Sequence, residues 1–325
     1  MKTAVITGIS GQDGSYLAEL LISKGYKVVG VLRRHSSPEH QTNRLDEYGI
    51  KDKIHLVYGD VTDLPSLIRI FSEHKPDEIY NLAAQAHVKI SFDQPSYTTD
   101  SIVFGTLNVL EAAKAICPNA RIYLAGSSEM YGNEYDPDGY RRETTKMVPV
   151  SPYGCAKLYG FNLGKVYRES YNMFICNGIL FNHESPRRGL NFVTNKVVEG
   201  AVKIKKGLAS NLALGNLNAT RDWGHAKDYV KAMWLMLQAD SADDYVCATG
   251  ESRSISQLCD YVFTKLNLDY KKYVIVDPKY FRPFELDNLK GDSSKANKIL
   301  NWEKTYTFES MMDEMIQSKN TKNLL

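Results

Sequence analysis

The stretch TAVITGISGQDGSYLAE, residues 3–19, decides the fold of this chain. A short apolar run ends at Gly8 and an amphipathic helical pattern follows it, with Gly8, Gly11 and Gly14 at GxxGxxG spacing in between. Glycine permits the tight turn and lets the backbone approach a pyrophosphate, whose charge the helix N-terminus then stabilises. Three glycines in a turn also serve purely structural ends. Their place between a strand and an amphipathic helix is what points to a dinucleotide.

The same rhythm continues downstream. Apolar runs read as buried strands at 3–7, 27–32, 54–58, 78–82, 121–125 and 174–180, with helical patterns at about 15–24, 64–74, 97–115 and 152–169. Gly25 reads as the C-terminal cap of the first helix, and Ser151 with Pro152 as the start of the last. Alternating βα units of this kind predict an α/β fold with a doubly wound parallel sheet of the Rossmann type. After Asn182 come loops rich in Arg and Asn, helical stretches at about 195–206, 226–238, 255–266 and 294–300, and a strand at 244–248 that returns to the sheet. The expectation is a dinucleotide-binding part, 1–182 with about 217–249. A smaller, discontinuous C-terminal α/β substrate domain takes about 183–216 with 250–325.

A chain of 325 residues, 43% of them hydrophobic, can bury a sizeable core. Its 40 basic and 38 acidic residues leave a formal charge of +2, so no global field argues for nucleic acid, and an anionic ligand needs local clusters. The first apolar stretch is too short for a signal-peptide core, and no run approaches the about 18 apolar residues of a membrane helix. Cys117, Cys155, Cys176, Cys247 and Cys259 are odd in number and form no CxxC. They read as reduced, buried thiols of a cytosol-like compartment, with neither disulfides nor a metal site expected.

The second strand selects the dinucleotide. NAD sites place an acidic residue near its end, whereas GVLRRHSS (30–37) offers Arg33 and Arg34, two guanidinium groups suited to the 2′-phosphate of NADP. A solvated arginine pair fits the same residues. Asp60, at the end of the third strand, is placed to bond the adenine amino group. LAAQAH (82–87) should line the cofactor, although core packing explains Ala83 and Ala84 equally well.

The fifth strand ends in AGSSEMYG (125–132); Tyr153 follows Glu129 by 24 residues, and Lys157 lies one helical turn further on. A phenol near an ammonium group should have its pKa lowered from about 10 toward neutrality, making Tyr153 a general base for a hydroxyl proton. YxxxK alone also fits a helix-surface pair. Ser127 can bond the reacting oxygen of a sugar. Glu129 can take a carbon-bound proton alpha to a ketone and hand a proton to a leaving hydroxyl, while a plain surface glutamate is the alternative. His183 beside Glu184 does not form HExxH, which argues against a metal role, and His225 reads as support for a loop. Arg221 and Arg282 suit a diphosphate, or equally surface salt bridges.

Taken together, TGISGQDGSYLAE, VLRRHSS, NLAAQAHV, GSSEMYG, SPYGCAKLY, ILFNHESPRRG, RDWGHAKDYV and YFRPFELDNLKGD resemble the extended short-chain dehydrogenase/reductases, and among them the GDP-mannose 4,6-dehydratases. The resemblance covers nearly the whole chain. It implies catalytic roles for Ser127, Glu129 and Tyr153, with Lys157 on the nicotinamide ribose. It implies cofactor contacts from Gly8, Ile9, Ser10, Gly11, Gln12, Asp13 and Gly14, and from Arg33, Arg34, Asp60 and Val61. Further contacts are implied from Leu82, Ala83, Ala84, Gln85, Ala86, Tyr97, His183 and Arg188. Ser127, Ser128, Asn182, Lys196, Arg221, Arg282 and Glu285 match positions that face the GDP-sugar. Three departures stand out: Ser127 replaces the usual threonine, the loop 133–145 is slightly long, and Phe284 replaces a smaller residue after YFRP.

The implied activity converts GDP-mannose to GDP-4-keto-6-deoxymannose, with hydride passing from C4 to C6 through NADP and loss of water, supplying GDP-fucose or GDP-rhamnose synthesis. A homodimer or homotetramer in the cytoplasm is implied, with no nucleic-acid or membrane partner. A 4-epimerase, or a dehydratase of another nucleotide sugar, uses the same fold and YxxxK. Glu129 separates the first, because C4 epimerisation needs no base at C5. A non-enzymatic NADP sensor would leave the Tyr153 spacing without purpose.

Overall fold

Strands whose two faces are both apolar need cover on both sides, and the chain supplies it with helices. The computed structural model describes residues 1–36, 41–281 and 283–321. Strands β1 (Thr3–Thr7), β2 (Lys27–Leu32), β3 (His55–Tyr58), β4 (Glu78–Asn81), β5 (Arg121–Ala125), β6 (Ile175–Leu180) and β7 (Asp244–Cys247) form one sheet. Its order is β7-β6-β5-β4-β1-β2-β3, and every pairing is parallel. The chain thus starts mid-sheet, runs to one edge and returns past β1 to β4. The loops diverge between β1 and β4, and ligands of such sheets bind where they do, beyond the strands' C-terminal ends.

All seven strands predicted from the sequence are present, four lengthened or shortened by one residue at most. The first helix, Gln12–Ser23, starts three residues earlier than its apolar pattern suggests, directly at Gly11, and Gly25 beyond its end takes φ +78° as a helix-ending glycine does. The stretch read as one helix over 97–115 is Pro95–Thr99, a π-helical turn over Asp100–Phe104, and Gly105–Ile116. Gly105 packs so tightly on Val61 that an added Cβ would sit 2.8 Å from its methyl carbon. The catalytic-side helix, Pro152–Tyr171, opens as predicted: the Ser151 hydroxyl caps it, accepting from the Gly154 amide at 3.0 Å.

A second apolar cluster lies outside the sheet, built from helices Val193–Lys205, Ile255–Lys265 and Phe308–Thr321. Helix Phe308–Thr321 went unread in the sequence. Two further parallel strand pairs, Asn182–Glu184 with Trp223–His225 and Leu212–Leu214 with Val274–Val276, also escaped it. Ala296, Leu300 and Trp302 pack instead into the core beside the sheet, with the Trp302 indole donating to the Asp228 carbonyl at 2.7 Å. His225 caps helix Ala226–Met236 through Nδ1, a supporting role. The cysteines correct one expectation: all five are free thiols, but Cys155 is exposed and Cys117 only half-buried.

The glycine turn is closely packed. Gly8 takes φ +71°, and a Cβ on Gly14 would meet the Gly8 carbonyl oxygen at 2.4 Å. Gly14→Ala therefore forces helix and strand apart. It should lower stability by about 1–3 kcal/mol, read as a shift of the urea midpoint without change in m.

Candidate active site

Three chain segments converge where β1, β4 and β5 end. The turn after β5 carries Ser127, Ser128 and Glu129; the capped helix carries Tyr153 and Lys157; the segment after β6 carries Asn182 and His183. One cleft is lined by all seven, together with Asp13, Leu82, Ala84, Ala86, Arg188, Lys196, Arg221 and Glu285. The phenol and the carboxylate thus share a single cavity.

Local bonds explain the convergence. The turn Ser128–Tyr131 is a short 3-10 helix capped by the Ser127 hydroxyl, which accepts from the Glu129 amide at 3.2 Å. The same hydroxyl is hydrogen-bonded to Tyr153. The Tyr153 amide, unpaired within the first helical turn, donates to the Ser91 hydroxyl at 3.2 Å. Lys157 is buried and donates from Nζ to the Ala125 carbonyl at 2.7 Å, tying the helix to the end of β5.

The electrostatics correct the sequence reading of Tyr153. Its pKa is not lowered toward neutrality; burial, joined by the nearby Glu129 carboxylate, pushes it up to about 12. Lys157 stands 5.8 Å from the phenol ring with its ammonium turned to a backbone carbonyl, and burial pulls its own pKa down to about 8. The protein alone therefore holds Tyr153 as a neutral phenol.

His183 is fixed at both ring nitrogens, Nδ1 to the Phe181 carbonyl and Nε2 to Asp13 Oδ2, each at 2.8 Å, and it stacks on Tyr229. Burial alone would lower His183 and raise Asp13. Their mutual charge and hydrogen bond outweigh it, so His183 is raised and Asp13 lowered. Gln12 joins the network by donating to the His183 carbonyl at 3.0 Å and to Asp13 at 3.1 Å.

Other expected residues fall at the adenosine end. Arg33, Arg34 and Asp60 line a separate depression beyond β2 and β3 with Tyr58 and Arg69, and Arg33 donates to the Tyr97 hydroxyl at 2.6 Å. Asp60 holds its own loop through Thr62, with its amide and hydroxyl both at 2.9 Å. Ile9 and Val61 turn their side chains into the core, which leaves only their backbone for a ligand. Ala83 gives its amide to Thr7 at 3.1 Å, and buried Gln85 binds His87 and Thr98. The Ser10 carbonyl accepts from Arg44, a residue the sequence reading passed over. Arg221 is paired with Glu285 at 2.8 Å and also donates to the Thr220 and Leu286 carbonyls, so part of the fork expected for a diphosphate is taken. Arg188 pairs with Glu184 at 3.1 Å and stacks on Phe192. Arg282 lies outside the described residues.

These residues fit a dinucleotide. Helix Gln12–Ser23 has no side-chain cap at Gly11, leaving its first amides open to a pyrophosphate. Lys157 keeps donors for ribose hydroxyls. The cleft also has walls that the sequence reading did not assign, among them Lys89 and Tyr280, while His87 from LAAQAH lines it as expected. The signal of the first two lay in the VK that follows LAAQAH and in YFRP, but nothing in one dimension brings those segments together.

A Rossmann sheet with a Tyr–Lys pair and a carboxylate in its cleft defines a nucleotide-sugar enzyme of the short-chain dehydrogenase/reductase type. Solved structures agree on the fold: UDP-glucose 4-epimerase from Thermotoga maritima (TM-score 0.85, 23% identity, 97% of this chain and 98% of that one) is similar throughout. So is dTDP-glucose 4,6-dehydratase from Bacillus anthracis in complex with NAD (TM-score 0.83, 21% identity, 98% and 96%). Residues 5–315 match the GDP-mannose 4,6 dehydratase family, and the chain belongs to it. GDP-mannose 4,6 dehydratase 2 of Arabidopsis thaliana is 48% identical (97% of this chain, 86% of the relative) and the Homo sapiens GDP-mannose 4,6 dehydratase 46% identical (98% and 91%).

The His183–Asp13 pair has a pH signature. Asp13's contribution is present above the ordinary carboxylate value of 3.8 and lost as pH falls through its depressed one. That of His183 is full below 6.5 and lost as pH rises through its raised value. An NMR titration of ring-labelled histidine should therefore place the His183 midpoint above 6.5, and Asp13→Asn should move it down. A midpoint indifferent to Asp13→Asn would break the assignment.

Proposed function

We propose that this GDP-mannose 4,6-dehydratase family member converts GDP-mannose to GDP-4-keto-6-deoxymannose with bound NADP, a hydro-lyase reaction feeding GDP-deoxyhexose synthesis. The observation that carries the reading is the shared cleft of Glu129, Tyr153 and Ser127 beneath the open helix N-terminus. Bound there, NADP supplies a reversible hydride store between C4 and C6 and a positive charge beside Tyr153 that its oxidised ring brings. The chain's residues do the rest. Ser127 and Tyr153 hold O4, and Tyr153 takes its proton as C4 becomes a ketone. That ketone acidifies C5. Glu129 removes the C5 proton and passes it to the C6 hydroxyl, which leaves as water; the proton held by Tyr153 balances the one C5 takes back. Lys157 orients the nicotinamide ribose, and its charge opposes protonation of Tyr153.

NADP rather than NAD is supported by Arg33 and Arg34 just after β2, with Arg69 beside them in a depression that Asp60 and Asp63 also line. Asn182, Ser128, Lys196, Arg221, Glu285 and Arg282 are assigned to the GDP-sugar. Residues 1–182 with about 217–249 form the cofactor part, and about 183–216 with 250–325 the sugar-nucleotide part, which the separate apolar cluster of three helices supports. Exposed Phe104, Tyr159 and Val166 on neighbouring helical segments support a homodimer or homotetramer. A cytoplasmic place, without nucleic acid or membrane as partner, is supported by a net charge of +2. No helix among the described residues is long and apolar enough to cross a membrane.

Incubation with GDP-mannose should give a product one water lighter without net consumption of NADPH, as read by mass. Glu129→Gln should leave NADP affinity intact and slow turnover by about 10²–10⁴-fold. Normal turnover in that variant ends the proposal. Arg33→Ala should weaken NADP and spare NAD; equal loss for both cofactors would remove its phosphate role.

A further inference from the structure

The cleft holds an unassigned cation. Lys89 stands on the short helix Val88–Asp93, directly after the segment that lines the cofactor site, and its side chain lines the same cleft. Its ammonium reaches over the cleft to the Lys279 carbonyl and lies 5.9 Å from the Tyr280 ring. Lys196 comes to the same ring from the facing helix Val193–Lys205, with Nζ 3.5 Å from the centroid and bonded to the Ala213 carbonyl at 2.7 Å. Two ammonium groups from opposite sides thus meet at one aromatic ring.

Charge bookkeeping gives the meeting a purpose. The neighbouring cations are already neutralised: Arg221 by Glu285 at 2.8 Å, and Lys279 by Asp277 at 2.9 Å. Lys89 bonds the Lys279 carbonyl, Lys196 bonds the Ala213 carbonyl and the Tyr280 side chain, and among the described residues neither has a carboxylate within ion-pair distance. An ammonium has three donors, so a single carbonyl leaves two for a ligand. Like charges brought toward one point without a counter-ion repel, and the arrangement is relieved by an anion of two charges. Burial and the Lys279 charge already depress the pKa of Lys196, which an anion would reverse.

We infer that Lys89 is a binding residue for the diphosphate of the nucleotide sugar, acting as the partner of Lys196 across the cleft. The inference rests on the proposed function for the identity of the substrate. Lys89 binds the anion through charge and two N–H groups, contacts a part of the substrate that does not change between ground and transition state, and therefore acts on affinity.

The test uses the full chain with NADP present, and Lys89→Met, Lys89→Arg and unsubstituted protein. GDP, UDP and dTDP are titrated calorimetrically, and the tightest binder on unsubstituted protein is carried forward with its nucleoside. Lys89→Met should weaken that diphosphate by about tenfold, leave the nucleoside unaffected and leave NADP affinity unchanged, while Lys89→Arg recovers most of the loss. With the cognate sugar nucleotide the same variant should raise KM far more than it lowers kcat. Equal diphosphate affinity in Lys89→Met and unsubstituted protein overturns the inference, as does equal loss for diphosphate and nucleoside, which would mean that Lys89 only braces the Tyr280 segment. An error in the substrate shows separately, as UDP or dTDP binding more tightly than GDP.

Discussion

The Lys157 ammonium, buried and bonded to the carbonyl of Ala125, joins the catalytic helix to the last residue of β5 at 2.7 Å. That bond sets where Tyr153 lies relative to the turn that follows β5, and so places the phenol within reach of Ser127 and beside Glu129. Enclosing an ammonium is unfavourable by several kcal/mol unless its donors are satisfied, and one carbonyl satisfies one of three. The depressed Lys157 pKa, about 8, expresses that shortfall. A site built this way leaves donors of Lys157 for polar groups from a ligand.

The phenol follows the same logic with the opposite sign. Burial and Glu129 hold Tyr153 protonated near pKa 12, so the phenol is not itself a base in the protein alone. Charge is quenched elsewhere by internal pairs: His183 with Asp13, Arg188 with Glu184, Arg221 with Glu285. The first and the last join residues from separate segments, so these pairs also fix the cleft's shape. Helix Gln12–Ser23 illustrates this, because its Asp13 and Gln12 hold the very strand, Asn182–Glu184, that forms the opposite wall.

Period and punctuation made the sheet legible. Short β-branched runs bounded by glycine admit little else, and the GxxGxxG turn is a steric requirement written directly in residue types, as the 2.4 Å gap at Gly14 demonstrates. The Tyr153–Lys157 pair was legible because a capped helix start fixes both positions on one face. Lys89 and Tyr280 were not, since they are 191 residues apart and neither belongs to a pattern. Phe308–Thr321 escaped because its apolar face is made of Met311, Met312 and Met315 among polar neighbours, a weak periodic signal that tertiary packing resolves. The Tyr153 pKa was misjudged for a geometric reason: spacing put Lys157 on the right face, but only the fold shows its ammonium turned to a carbonyl.

Epimerases and dehydratases share this sheet, and the difference between them must lie in what stands over C5. In this chain the turn Ser128–Tyr131 fixes where the Glu129 carboxylate stands in the cleft. Its cap uses the Ser127 hydroxyl for the Glu129 amide, and the Glu129 carbonyl abuts Gly154 so closely that a Cβ there would fall 2.8 Å away. The backbone of Glu129 is therefore clamped between the strand end and the first turn of the Tyr153 helix. One local unit therefore carries the Ser127 hydroxyl, the Glu129 carboxylate and the Tyr153 phenol into the same cleft.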